Sequence, residues 1–172
     1  MRCKLLLAAL FIIAYASVSM AQTKLPVPDK LPENVGDITF DKKTDDPQFK
    51  ICNPGNVYQY YAVNTTYKGG TKAIKKFLLS NYKFEPDFAG ITGYITIRFI
   101  VNCKGQTGWF RIQQLNSSYQ ITQFNKKAVG ELLNLTKKLN AWIPGKFNGV
   151  TRDSYYYLNF KLTGGHLKDI TP

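Results

Sequence analysis

The stretch LNAWIPGKFNGVTRDSYYYLNFKLTGG, residues 139–165, decides the fold. A helix-like run ends at Pro144-Gly145, where Pro cannot donate a helical hydrogen bond and Gly readily leaves the helical conformation. A polar, Gly-containing turn follows. Then SYYYLNFKL (154–162) alternates, with Tyr156, Leu158, Phe160 and Leu162 on one face and Tyr155, Tyr157, Asn159 and Lys161 on the other. That two-residue period is the signature of a strand with one buried face. No His, Cys or acidic pair accompanies the aromatic crowding, so the inner four are expected in a core.

Working outward, ITQFNKKAVGELLNLTKKLNAW (121–142) repeats apolar residues at three- and four-residue steps through Phe124, Ala128, Leu132, Leu135, Leu139 and Trp142, which predicts an amphipathic helix. GYITIRFIV (93–101) and WFRIQQL (109–115) alternate as strands joined by the hairpin-type NCKGQTG (102–108). TKAIKKFLLSNYK (71–83) gathers Ala73, Ile74, Phe77, Leu78 and Tyr82 on one helical face, with Thr71 as its N-cap. VYQYYAV (57–63) has strand composition. The order helix, strand, strand, helix, strand predicts a small α+β domain, an antiparallel sheet packed on helices.

The chain has 172 residues and a formal net charge of +12. Six of the eleven acids (Asp29, Glu33, Asp37, Asp41, Asp45, Asp46) precede the predicted domain, and Glu131 is the only one between Lys104 and Arg152. The body is therefore strongly cationic, which favours anionic partners or simply keeps the chain soluble. Residues 1–21 read as an export signal, with Arg2 and Lys4, an apolar run, and Ser19-Met20-Ala21 as the cleavage site. The alternative is an uncleaved anchor, although the apolar run is short against the roughly 20 residues a span needs. Residues 22–56, with Pro26, Pro28, Pro32 and Pro47, read as a linker or loosely packed arm. The domain is expected over 57–163 and a tail over 164–172. Two cysteines, Cys52 and Cys103, follow the signal, and in an exported chain they are expected to pair; two separate buried thiols are the other reading.

Catalysis finds little support. His166 lies in the Gly-flanked tail, Asp153 reads as a turn residue beside Arg152, and Gly69-Gly70 lacks the Lys-Ser/Thr of a phosphate loop. With one His in the chain, no zinc-type set of Cys and His assembles, and no metal or cofactor is expected. Exposed aromatic and basic residues suit stacking on bases, but an export signal removes the chain from cytoplasmic nucleic acid. An anionic envelope polymer is the remaining polyanion. Three sequons, at Asn64, Asn116 and Asn134, carry little weight.

These pieces together resemble the C-terminal domain of the TonB family of periplasmic energy transducers, over about Tyr60 to Leu162. YKGGTKAIKKFLLSNYKFEPDFAGITGYITIRFIVNCKG is similar to the family's entry helix, first strand and turn. LNAWIPGKFNG carries its W-x-P-G-K-x-x-G at Trp142, Pro144, Gly145, Lys146 and Gly149. YYYLNFKLTGG is similar to its closing strand, with Phe160, Lys161 and Leu162 as the core. The resemblance implies a non-catalytic domain that pairs its last strand with a segment of an outer-membrane transporter or another envelope protein, with Tyr155, Tyr157, Asn159 and Lys161 flanking the edge. A membrane-anchored transducer working with an ExbB/ExbD-type motor is the alternative reading, and a secreted structural or polymer-binding protein is another. Self-association into a homodimer is a further expectation. The chain departs from the family at Lys68, where a Pro commonly stands, at the Cys52/Cys103 pair, and in an apolar run without an ionisable residue after Lys4. Intact-mass measurement of the exported protein is expected to give a chain that begins at Gln22, which would rule out the anchored transducer.

Overall fold

The computed structural model describes residues 36–172, so the export signal and the start of the arm lie outside the described residues. Residues 36–172 form an α+β domain: a mixed five-stranded sheet with three helices. β1 (Tyr58–Gln59) runs into α1 (Tyr60–Val63), then β2 (Thr66–Tyr67) and α2 (Gly70–Asn81). A single 3-10 turn at Pro86–Phe88 leads to β3 (Gly93–Val101) and β4 (Thr107–Asn116). α3 (Lys126–Lys137) is followed by the short strands β5 (Trp142–Ile143), β6 (Lys146–Phe147) and β7 (Val150–Thr151). β8 (Ser154–Thr163) and β9 (His166–Thr171) close the chain.

β8 and β3 form the middle of the sheet, antiparallel in unbroken register from Val101↔Ser154 to Gly93↔Leu162. Their alternation is as the sequence predicts. Ile95, Ile97 and Phe99 of β3 and Leu158 and Phe160 of β8 are fully buried, joined by Ile74 and Leu78 of α2 and Ala128 and Leu132 of α3. Both longer helices thus cover one face of the sheet. Burial of each Ile, Leu or Phe side chain among these residues is worth about 2 kcal/mol and reinforces the strand preference of the β-branched Ile95 and Ile97.

Several boundaries differ from the sequence expectation. The helix predicted over 121–142 shrinks to Lys126–Lys137, because the Asn125 side chain accepts from Lys127 N–H (2.8 Å) and caps it. Past its end, Leu139 and Trp142 keep the apolar rhythm but serve the core from non-helical backbone. Trp142 pairs with Tyr67 in the β2–β5 ladder, and its ring meets Tyr67, Phe99 and Tyr156 at centroid distances of 4.6–5.3 Å. The run 57–63 forms two strand residues and then a helical turn. The second helix opens at Gly70, with Gly69 rather than Thr71 as its N-cap. On β4, Phe110 packs against Phe99, whereas Ile112, also expected inside, stays 38% exposed near the sheet edge.

Two larger corrections concern the ends. Residues 164–172 are not a tail: Gly164-Gly165 makes a two-residue turn and β9 returns along β8 from Thr163↔His166 to Asn159↔Thr171. Gly165 is required there, since its φ is +76° and a Cβ would lie 2.3 Å from the Phe88 carbonyl oxygen. Ile170 is fully buried. The described part of the arm is not loose either. Ile38 is buried, Phe40 and Phe49 pack on Trp109 at 5.5 and 6.3 Å, and Asp45 is buried against Arg111.

The Cys52–Cys103 disulfide fastens the arm to the β3–β4 turn, with Cα atoms 6.1 Å apart. Beside it Asp153 is 1% exposed, and its carboxylate accepts the backbone N–H of Cys52 (3.1 Å), Asn53 (2.7 Å) and Cys103 (2.9 Å). The turn residue of the sequence reading is thus an internal acceptor that joins three segments. Asp153→Ala leaves three N–H groups without an acceptor and is expected to destabilise by about 3 kcal/mol in urea unfolding. Asp153→Asn, which keeps one acceptor oxygen, is expected to recover part of that loss.

Candidate functional site

Tyr155, Tyr157, Asn159 and Lys161 project from the face of β8 opposite the helices, as the alternation requires. The edge they were expected to flank is occupied. β3 lies on one side of β8; on the other, β1 pairs in parallel with Ser154 and Tyr155, and β9 pairs with Asn159 to Thr163. The closing strand is therefore internal along most of its length, and β9 is the last strand. Only the main chain around Tyr156–Leu158 has a strand neighbour on one side alone.

The four side chains also face different surroundings. The phenol of Tyr155 titrates above its ordinary range, because burial comes first and the Asp37 carboxylate opposes a second negative charge. Tyr157 lies 5.8 Å from the ring of Tyr60 in an edge-on arrangement. Asn159 accepts from the Thr96 hydroxyl (3.1 Å), and Lys161 is exposed. The arm, at Gly36 to Thr39, reaches the Arg98, Arg111 and Tyr155 end of this face. The other end stays open around Tyr94 and Tyr119, whose rings stack at 5.2 Å.

The residues of the W-x-P-G-K-x-x-G stretch hold the connection into β8. Trp142 fills the core. Gly145 donates to the Thr65 hydroxyl (3.1 Å), and a Cβ there would meet Val63 Cγ2 at 2.4 Å, so only Gly permits this approach. Lys146 is exposed on β6, and Gly149 completes the turn into β7. Phe160 is fully buried. These are packing roles.

Apart from the two-residue β1, two strands of the five-stranded sheet have a partner on one side only among the described residues. β9 has a strand on one side only. It is tied to α2 by Lys75–Asp169 (2.7 Å), and its turn by the Tyr82 hydroxyl, which donates to Gly165 O (2.7 Å). Burial, then the Glu131 charge, pushes that phenol up to about 12. β4 is the other edge. Its far end is closed by Gln120–Thr122, which bond back to Asn116 and Gln114, and its near end lies beside the arm.

Cys52, Cys103 and Asp153 bring possible ligand atoms within 4.8 Å of one another, but the two sulfurs are bonded together and the carboxylate is saturated by N–H donors. His166 lies on β9, exposed, with its ring stacked on Phe84 at 4.1 Å. Among the described residues no helix is long and apolar enough to cross a membrane. Comparison with known proteins returns no match: no family model fits the chain, and neither a curated protein nor a solved structure is significantly similar.

Sequence reasoning missed the arm's docking and β9. Gly164-Gly165 between YYYLNFKLT and HLKDIT is itself a hairpin signal, but a register shift opposite Lys161/Leu162 breaks the alternation that would have confirmed it. Besides the disulfide, the arm is anchored by the pair Asp45–Arg111, with contacts of 2.8 Å (Nη1–Oδ1) and 2.6 Å (Nη2–Oδ2). These bonds hold the Asp45 carboxyl below its ordinary value of 3.8; burial opposes the shift, and the Asp41 N–H and the Arg111 charge add to it. As pH falls, the unfolded chain takes up this proton first. The pair's contribution is thus full above 3.8 and disappears as pH drops through the lower folded value. Asp45→Asn is expected to cost about 2 kcal/mol at neutral pH, with the gap to wild type narrowing as pH falls below 3.8 in urea unfolding.

Proposed function

We propose that this chain is an exported, non-catalytic binding module related to the TonB C-terminal domain, which takes up an extended segment of an outer-membrane transporter or other envelope protein by strand addition. The observation that carries the reading is the unpaired side of β9. On that side alternate residues of this six-residue strand turn their main-chain N–H and C=O groups away from β8, and an exposed strand edge is what β-augmentation needs. An α+β domain with a mixed five-stranded sheet and three helices is compatible with the fold the resemblance implies. The Cys52–Cys103 disulfide fits an oxidising compartment, which supports a periplasmic or cell-envelope location. Because β9 covers β8, the incoming strand pairs with β9 rather than with the closing strand itself. The anchored-transducer reading turns on residues 1–21, outside the described residues.

A photo-crosslinking amino acid at Lys168, on β9, tests this in the cells that make the protein, with the exposed Lys126 at the start of α3 as control. The expected result is an adduct from position 168 alone, formed through an extended segment of an outer-membrane protein and little affected by salt. Adducts of equal yield from both positions, or binding that disappears with rising salt as a polyanion's would, overturn strand addition. A covalent dimer from position 168 would instead assign the edge to self-association.

A further inference from the structure

β6 and β7 stand apart from the five-stranded sheet as a hairpin of their own, pairing Lys146↔Thr151 and Phe147↔Val150. The turn is Asn148-Gly149, both left-handed at φ +51° and +78°, the combination a two-residue hairpin turn requires and Asn-Gly readily adopts. Phe147 and Val150 flank that turn opposite each other, so their side chains lie on one face of the hairpin. Its base is fixed: Arg152 N–H donates to Gly145 O (2.9 Å), and Tyr58 stacks on Phe147 at 5.4 Å. Yet Phe147 stays 44% and Val150 54% exposed, and Ile143, just before the hairpin, is 49% exposed. Apolar residues gathered on an exposed tip mark an interaction surface.

The charge beside this tip has one sign. Lys68 N–H donates to Ala141 O (2.9 Å), and a Cβ on Gly105 would lie 2.7 Å from Trp142 O, so segments 54–68 and 102–108 border segment 139–152. The three segments carry Lys68, Lys104, Lys146 and Arg152 and no Asp or Glu. The lysines are exposed, and none of the four cations forms an ion pair among the described residues. The next acid, Asp153, is buried and its carboxylate is filled by N–H donors. Exposed apolar side chains beside unpaired cations match a surface with negative charge outside and hydrocarbon just beneath. A hydrophilic polyanion would use the lysines but leave Phe147, Val150 and Ile143 in water. An apolar protein groove would use those three and leave the cations unmatched.

We propose that the β6–β7 hairpin docks this domain on an anionic phospholipid bilayer, with Phe147 and Val150 entering the boundary between headgroups and acyl chains. Lys68, Lys104 and Lys146 draw the surface in; their charge acts over roughly 8–10 Å, so they need not touch the same lipids. This is independent of the strand-addition reading, since the hairpin precedes β8, whereas β9 pairs with the second half of that strand.

Flotation of the exported, disulfide-intact protein with vesicles of equal parts phosphatidylglycerol and phosphatidylcholine tests it. The variants differ from wild type at one residue each, so the N-terminal segment is common to all. The expected result is binding to these vesicles and binding at least about tenfold weaker to phosphatidylcholine alone. Val150→Asp, at an exposed position outside the core, weakens binding about tenfold or more. Lys146→Gln weakens it about fivefold, whereas Lys126→Gln, at the start of α3, changes it by no more than about twofold. Phe147→Trp puts a fluorescent ring at the tip, and lipids brominated on their acyl chains quench it beyond the level seen in the wild type. Urea unfolding checks that each variant is folded, and Lys146→Gln removes only an exposed charge. Absence of flotation with the anionic vesicles overturns the proposal. So do equal losses from Lys146→Gln and Lys126→Gln, undiminished binding of Val150→Asp, or no added quenching of Phe147→Trp.

Discussion

The Asp153 carboxylate is the point on which the domain is assembled. It sits immediately before β8, and its three N–H partners belong to the end of the arm and to the β3–β4 turn. Its main-chain oxygen also accepts from Tyr58 N–H (3.0 Å), which starts β1 alongside β8. One residue therefore fixes where the central strand begins and which segments lie against it. A buried carboxylate is tolerated only when its lone pairs are filled, and here backbone donors fill them. That arrangement demands the three segments in place together, and the disulfide beside it keeps two of them there.

What the sequence made legible follows from how local each signal is. β3 and β8 have one face against the core, so Ile95, Ile97 and Phe99 and their counterparts Leu158 and Phe160 had to alternate with polar residues, and the pattern names both faces. It does not name neighbours along the sheet. Tyr155, Tyr157, Asn159 and Lys161 were placed correctly on the outer face, yet β8 turned out to be internal because β1 and β9 lie far away or past a turn. α3 was drawn too long because Phe124, Leu139 and Trp142 extend its apolar rhythm; the Asn125 cap, a single polar residue, decides its start. The arm was least legible. Ile38, Phe40 and Phe49 are isolated apolar residues among charges, and Asp45 meets an arginine 66 residues away. Such pairings leave no period to read.

The two sheet edges differ in kind. β9 presents main chain, held in place by the burial of Ile170 and by the turn's bonds to the 82–91 region. β4 presents side chains, because a bulge in its pairing with β3 tilts Trp109 out of the ladder and the arm supplies the facing wall. The arm is thus one wall of a cleft rather than a tether, and the Arg111–Asp45 pair shapes that cleft as well as fastening a segment.

The parallel pairing of β1 with β8 joins Tyr58 to Ser154, and β9 contributes the final neighbour of Phe160 through Ile170. The middle of the sheet therefore cannot be completed by any N-terminal fragment. Contacts of such wide sequence separation form slowly, since a long loop must close before they reward it. Until β8 and β9 have emerged, the sheet has no finished hydrophobic layer to lock.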